Sequence, residues 1–248
     1  MEGATFVAPF FYGRDAKRTD RKTRDMKKYA VIVAGGSGKR MGAAVPKQFL
    51  LLQQKPLLWY SLDTFLRSFD DMQVILVLPA ENIAEGETIV GSLGAGNRVR
   101  ITNGGDTRFH SVQNGLKLIT ESSVVFVHDG VRCLVSADLI HRCYEQTLQK
   151  GTAIPAVAAT DSIRIVNGDD HRVANRDHVR IIQTPQTFLS ELLLPAFSAD
   201  YSDSFTDEAT VVEASGKKVY LIEGEYENIK ITRPADLITA EQILISRK

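Results

Sequence analysis

Four short, unbroken apolar runs leave this chain few ways to fold. Tyr29–Ala34, Val74–Leu78, Val124–Val127 and Ala153–Ala158 are too short for helices and lack the polar alternation of a strand with one wet face. Runs of this kind are strands buried on both sides, which is the habit of parallel sheets. Arg98–Thr102 reads as a further short strand. Between the strands the period becomes helical: Leu57, Leu58, Leu62, Phe65 and Leu66 mark a helix over Pro56–Arg67, and others are expected near Phe109–Ile119 and about Ser136–Gln149. Ser136 suits an N-cap there and Gly151 the position just past the end. Such alternation predicts an α/β protein, a Rossmann-like three-layer α/β/α fold around a mostly parallel, twisted sheet.

After Ala158 the rhythm breaks. Ser162–Val166 alternates, Asn167-Gly168 signals a tight turn, and Arg172–Asn175 can return antiparallel. A polar hairpin of this size buries little by itself, so an arm over about 159–180 is expected to project from the sheet and pack on a second subunit. Helices near Leu189–Phe197, Asp207–Ala214 and Pro234–Ser246 follow, with strands at Lys218–Ile222 and Asn228–Ile231.

Composition excludes several classes. The 248 residues carry 30 basic and 30 acidic side chains, which argues against a protein held on nucleic acid or membrane by bulk charge. No apolar run reaches the ~18 residues of a membrane span. Cys133 and Cys143 form no metal pattern and no disulfide framework, and a soluble protein of the reducing cytoplasm is expected. Residues 1–28 hold eight basic and four acidic side chains. The apolar stretch Ala4–Tyr12 precedes those charges, the reverse of a secretory signal. Residues 1–27 are expected to be a disordered or non-native extension, with Met26 a candidate start, and 28–248 a single domain.

In open parallel sheets ligands bind beyond the carboxyl ends of the strands, and that is where the polar motifs fall. The loop after the first strand reads Ala34-Gly35-Gly36-Ser37-Gly38-Lys39-Arg40-Met41-Gly42, then Pro46-Lys47-Gln48. Glycine lets backbone N–H groups approach phosphate oxygens, and Arg40 and Lys47 add positive charge. Met41 breaks a dinucleotide fingerprint, and neither Lys39-Arg40 nor Val33 suits a P-loop. A second cluster is Asn103-Gly104-Gly105-Asp106-Thr107-Arg108 with Ser111, whose glycines admit a flat base and whose Asp106 and Ser111 can bond its edge. A third, Val127-His128-Asp129-Gly130-Val131-Arg132, puts a lone carboxylate where Mg²⁺ can be held against phosphates. The fourth is Glu227–Pro234, whose alternation points Asn228, Lys230 and Thr232 to one face. No nucleophile–base set is present, so the chemistry expected is phosphoryl or nucleotidyl transfer, which rests on positioning and charge neutralisation.

Taken in order, AGGSGKRMG…PKQF, GGDTRFHSV, VHDGVRC, TDSIR, QTPQTF, FTDEA and ENIKITRPADL resemble the 2-C-methyl-D-erythritol 4-phosphate cytidylyltransferases of the non-mevalonate isoprenoid route, over residues 28–248. The glycine-rich loop is common to many sugar nucleotidyltransferases; its combination with HDGVR, TDEA and NIKITRP is specific. The resemblance implies that CTP and methylerythritol phosphate give diphosphocytidyl-methylerythritol and pyrophosphate, with Mg²⁺ as cofactor. It assigns Arg40, Lys47 and Lys230 to catalysis. Ala34, Gly35, Gly36, Gly38, Gly105, Asp106 and Ser111 fall to the nucleotide, and Asp129, Arg132, Ser162, Arg176, Thr184, Thr206 and Lys230 to the alcohol phosphate. Asp129 is also implied as the carboxylate near the metal. In the family the arm reaches across a homodimer, which would make the active sites shared through Ser162 and Arg176. The family often reads HDAARP where Gly130, Val131 and Cys133 stand here, and threonine at Ser162; both departures keep Asp129 and Arg132. The residues leave other readings standing: a ribitol 5-phosphate cytidylyltransferase, a non-catalytic nucleotide-binding module, and nucleic-acid binding through the basic extension.

Overall fold

A computed structural model describes residues 26–36 and 45–247. The extension up to residue 25, and Gly38 and Arg40 of the glycine-rich loop, lie outside the described residues. In chain order the elements are β1 (Lys27–Val33), β2 (Leu51–Leu52), β3 (Lys55–Pro56), α1 (Leu57–Ser68), β4 (Met72–Leu78), α2 (Ile83–Ser92), β5 (Val99–Asn103), α3 (Arg108–Leu116), β6 (Ser123–Asp129), α4 (Ala137–Lys150) and β7 (Thr152–Ala158). They continue with β8 (Ile163–Asn167), β9 (Asp170–Ala174), β10 (Arg180–Ile182), β11 (Gln186–Leu189), α5 (Ser190–Ala196), α6 (Glu208–Ala214), β12 (Leu221–Glu223) and α7 (Pro234–Ser246).

The main sheet runs β7–β11–β6–β1–β4–β5. β6, β1, β4 and β5 are parallel neighbours, while β11 is antiparallel to both β6 and β7. Ala156 of β7 pairs with Ile182 of β10 and with Glu223 of β12, so those two strands flank it on opposite edges. The expected mostly parallel sheet is present.

The unbroken apolar runs follow from cover on both faces. Ala30, Ile32, Leu76 and Phe126 pack into one core with α1, α2 and α4, while Val31, Ile75, Val77, Val125 and Val127 pack into a second with α3, α5 and α6. Successive strand residues alternate between these cores. A third cluster joins Leu52, Leu57, Val131, Cys133, Leu134 and Ile231 to Ala240 of α7. Helix ends follow the local chemistry. The Ser136 hydroxyl accepts from the Leu139 amide at 3.0 Å, and Gly151, at φ +84°, closes α4 in the left-handed region. Cys133 and Cys143 are free and buried, and burial pushes both thiols up to about 12.

Several expectations need correction. Asn228–Ile231 is no strand: the Ile231 amide donates to the Val131 carbonyl at 3.0 Å and the Asn228 amide to the Glu225 carbonyl at 2.9 Å, a turn rather than a ladder. Of Lys218–Ile222, only Leu221 and Ile222 fall within a strand, β12. The arm is a two-stranded hairpin as expected, but Asn167 pairs with Asp170, so its turn is Gly168-Asp169, with Gly168 at φ +60°. Two elements had no clear signal. α2 carries two glycines, one of which, Gly86, packs where a Cβ would meet Leu78 Cδ1 at 2.4 Å. The β2–β3 turn places Gln53 and Gln54 at positive φ without the usual glycine or asparagine.

Candidate active site

The parallel strands end in register, with Val33 beside Val77 and Asp129, and Leu78 beside Asn103. Backbone hydrogen bonds continue past those ends, from Ala34 to Val77, Gly104 to Leu78 and Gly130 to Val33. Three loops are thereby held side by side around a cavity of about 430 Å³. Its wall includes Ala34, Gly35, Gly36 and Lys47, then Gly105, Asp106 and Ser111, and finally Asp129 and Lys230. These expected residues from four distant segments thus meet in one place.

The glycine-rich wall is built to close tolerances. A Cβ on Gly36 would stand 3.5 Å from Lys47 Cε, so the lysine stem lies against the loop. Lys47 opens a one-turn 3-10 helix, Lys47–Phe49, after Pro46. At Gly105 a Cβ would approach His110 Cβ to 2.5 Å, a separation no side chain tolerates. Ser111 holds this second loop itself: its hydroxyl donates to the Thr107 carbonyl at 2.9 Å and accepts from the Gly105 amide at 3.1 Å.

Asp129 is the electrostatic centre. Arg108 Nε lies 3.2 Å from Oδ1, Lys230 Nζ 2.8 Å from Oδ2, and Arg132 Nε 3.8 Å from Oδ2. Burial by itself would raise this carboxyl, but Arg108, Lys230 and Arg132 hold it below the ordinary carboxylate range. Arg108 is clamped from the other side by Glu208, with Nη1 on Oε1 and Nη2 3.1 Å from Oε2.

A buried relay supports the Asp129 turn. The His128 Nε2–H donates to the Arg132 carbonyl at 3.2 Å, because a carbonyl can only accept. Nδ1 is then the acceptor of the Thr184 hydroxyl at 3.0 Å, and that hydroxyl accepts the Asp129 amide at 3.1 Å. Burial pushes His128 down to about 3, which keeps it neutral. Thr184 thus sits behind Asp129. Arg132 turns the same way, its Nη1 donating to the Asn228 carbonyl at 2.8 Å.

Lys230 reaches the cavity from an irregular segment. Ile231 is fully buried in the third core cluster, and the Asn228 amide group donates to the Thr184 carbonyl at 2.9 Å. These anchors, rather than strand alternation, aim the lysine at Asp129. Asn228 and Lys230 both turn toward the Asp129 and Thr184 segments, while the Thr232 hydroxyl donates instead to Asp236 of α7 at 2.9 Å.

Among the described residues, five expected ones stand outside the cavity wall: Thr184 and Arg132, set behind Asp129, and three exposed ones. Ser162 is exposed on the approach to the arm, and Arg176 is exposed beyond it, donating to the Thr160 carbonyl at 3.0 Å. Thr206 is exposed just ahead of α6. The sequence reading missed Arg108, Glu208 and His128 as parts of the site. Their motifs were visible, but their burial and partners were not.

Among the described residues no group of three or more His, Cys, Asp or Glu could hold a metal ion. Asp129 and Asp106 are the carboxylates on the cavity wall, and Asp129 already faces three cations. This donor set fits a magnesium ion carried on phosphate oxygens and does not form a protein cage for one.

A family model for 2-C-methyl-D-erythritol 4-phosphate cytidylyltransferase matches residues 29–246. The chain belongs to that family. The cytidylyltransferase of Bacteroides fragilis is 43% identical over 215 residues, 87% of this chain and 98% of its own. That of Porphyromonas gingivalis strain W83 is 42% identical over 223 residues, 90% of this chain and all of its own. The solved 4-diphosphocytidyl-2C-methyl-D-erythritol synthase of Anaerococcus prevotii superposes with a TM-score of 0.76 at 30% identity, covering 88% of this chain and 96% of that one. The family's α/β fold, a mixed sheet with parallel strands flanked by helices, is the fold of this protein. No helix among the described residues is long and apolar enough to cross a membrane.

Proposed function

We propose that this cytidylyltransferase-family protein joins CTP to 2-C-methyl-D-erythritol 4-phosphate, giving 4-diphosphocytidyl-2-C-methyl-D-erythritol and pyrophosphate. One observation carries the reading: Lys47, the loop glycines, Asp129 and Lys230, drawn from separate segments, line a single cavity at the carboxyl ends of parallel strands. An oxygen of the alcohol's phosphate attacks the α-phosphorus of CTP in line. A new P–O bond forms, the bond from the α-phosphorus to the bridging oxygen breaks, and pyrophosphate leaves with that electron pair. The attacking oxygen is already anionic, so no general base is required, which agrees with the lack of a nucleophile–base pair in the motifs. Negative charge builds on the oxygens of the pentacoordinate phosphorus, where fixed cations act most strongly.

In this reading Lys47 and Arg40 steady the triphosphate with Gly35, Gly36 and Gly38. Ala34, Gly105, Asp106 and Ser111 form the cytosine wall, and Gly105 keeps it flat enough for a base. Asp129 meets the hydroxyls of the alcohol and Lys230 its phosphate, with Thr184 and Arg132 fixing the turn beneath them. A magnesium ion, when bound, would be held by Asp129 together with the triphosphate and would neutralise part of its charge. Ser162 and Arg176 act on a partner's site through the hairpin arm of a cytoplasmic homodimer, and Thr206 borders the same alcohol. Exposed Ile165, Val166 and Val173 on the arm support such packing.

The test is pyrophosphate release by purified protein given CTP with methylerythritol phosphate or with ribitol 5-phosphate. Faster turnover of ribitol phosphate would replace the alcohol assigned here. Binding of CTP with no turnover of either would make the protein a nucleotide-binding module.

A further inference from the structure

Arg108 and Glu208 have no part in the assignments to CTP or the alcohol phosphate, yet they form an ion pair beside the cavity whose carboxylate is almost wholly buried. Glu208, 1% exposed, stands on the first turn of α6. Both of its oxygens meet the two terminal nitrogens of Arg108, while the remaining donor, Nε, faces Asp129 Oδ1 at 3.2 Å. The Arg108 side chain is 30% exposed and lies on the cavity wall. Three elements are joined this way, since Arg108 begins α3, Glu208 begins α6 and Asp129 ends β6.

The chemistry of the guanidinium explains why this matters. Its planar fork is the side-chain group best matched to phosphate oxygens. An arginine with a free fork in a phosphate-filled cavity binds those oxygens wherever it meets them. Glu208 occupies the fork, so what Arg108 presents to Asp129 is one oriented N–H. With Oδ1 fixed by that bond, the plane of the carboxylate is set, and Oδ2 falls 2.8 Å from Lys230.

We propose that Glu208, acting through Arg108, is a positioning residue for Asp129: the carboxylate–guanidinium–carboxylate chain sets the rotation of Asp129 and keeps the Arg108 fork off the phosphates. This deepens the reading of Asp129 as the group that meets the hydroxyls of the alcohol substrate, and it rests on that reading.

Removing Glu208 alone leaves the terminal nitrogens of Arg108 without their carboxylate and can cost the fold. The decisive protein is therefore the full chain carrying Arg108→Met and Glu208→Leu together, which withdraws both charges. Steady-state kinetics use CTP and whichever of methylerythritol phosphate or ribitol 5-phosphate the wild type turns over. The expected result is a KM for the alcohol phosphate raised at least about 10-fold with the KM for CTP held within about 2-fold, a split that a merely structural role would not produce. Should the double variant fail to fold, Arg108→Lys, which keeps the charge and loses the fork, is expected to show the same split. Wild-type kcat and KM values in the folded variant would overturn the proposal. So would a crystal structure of that variant with the Asp129 carboxylate unrotated and still on Lys230, a readout that needs no turnover. If the wild type turns over neither alcohol, the proposed reaction has failed, and the crystallographic result alone decides the role of Glu208.

Discussion

Lys230 holds its ammonium 2.8 Å from Oδ2 of Asp129, so the irregular segment before α7 and the end of β6 share one ion pair at the cavity wall. Asp129→Asn removes the charge that three cations face. Pyrophosphate release is expected to fall at least about 100-fold. Thermal unfolding should move down modestly, since Arg108 keeps Glu208 and Lys230 is partly solvated. A variant with near-normal turnover would remove Asp129 from the site.

Lys47→Ala tests the other side of the cavity. It should lower kcat by about 100–1,000-fold and leave the melting temperature near that of the wild type. A change confined to the KM for CTP would show that Lys47 binds the ground state and leaves the transition state to other groups.

His128 predicts an acid-sensitive core. Its pKa is about 3 in the fold against 6.5 for a free imidazole. Between those values the unfolded chain binds a proton that the folded chain refuses, so stability is fully present above pH 6.5 and is lost as the pH falls. The loss should reach about 2 kcal/mol at pH 5 relative to neutral pH. Urea unfolding at both pH values, compared with His128→Gln, measures it: the variant should lose less of its stability on acidification. Equal losses would mean that His128 is protonated in the native state.

Gly105→Ala places a methyl group 2.5 Å from His110 Cβ, and the loop must move. CTP affinity by calorimetry is expected to drop about 10-fold with the fold intact, an effect of about 1.4 kcal/mol. Unchanged affinity would take this loop out of the nucleotide site.

Arg176→Ala addresses the arm. The KM for the alcohol phosphate should rise while that for CTP stays level. Mixing the Arg176→Ala and Lys47→Ala proteins should restore turnover, since a mixed dimer has one site with both residues intact. Absence of any rescue would count against sites shared between subunits.

Much of this was legible in the amino-acid order. Val74–Leu78 and Val124–Val127 are apolar at every position because both faces of a parallel strand are covered. Ser136 and Gly151 mark the ends of a helix by local bonding and a positive φ. The motifs at strand ends named Lys47, Gly105 and Asp129 because ligands gather where parallel strands stop. Each of these properties is settled within a few residues, by steric limits, local hydrogen bonds and the spacing of apolar groups. Other features depended on segments meeting across the fold. Glu208 reads as an ordinary first-turn carboxylate until α6 brings it against Arg108. Asn228–Ile231 alternates like a strand, yet its amide and side-chain bonds go to Glu225, Val131 and Thr184. Lys230 reaches Asp129 because Ile231 is buried beside it. Which charge neutralises which is a matter of distance and solvent exclusion, and both exist only once the chain has packed.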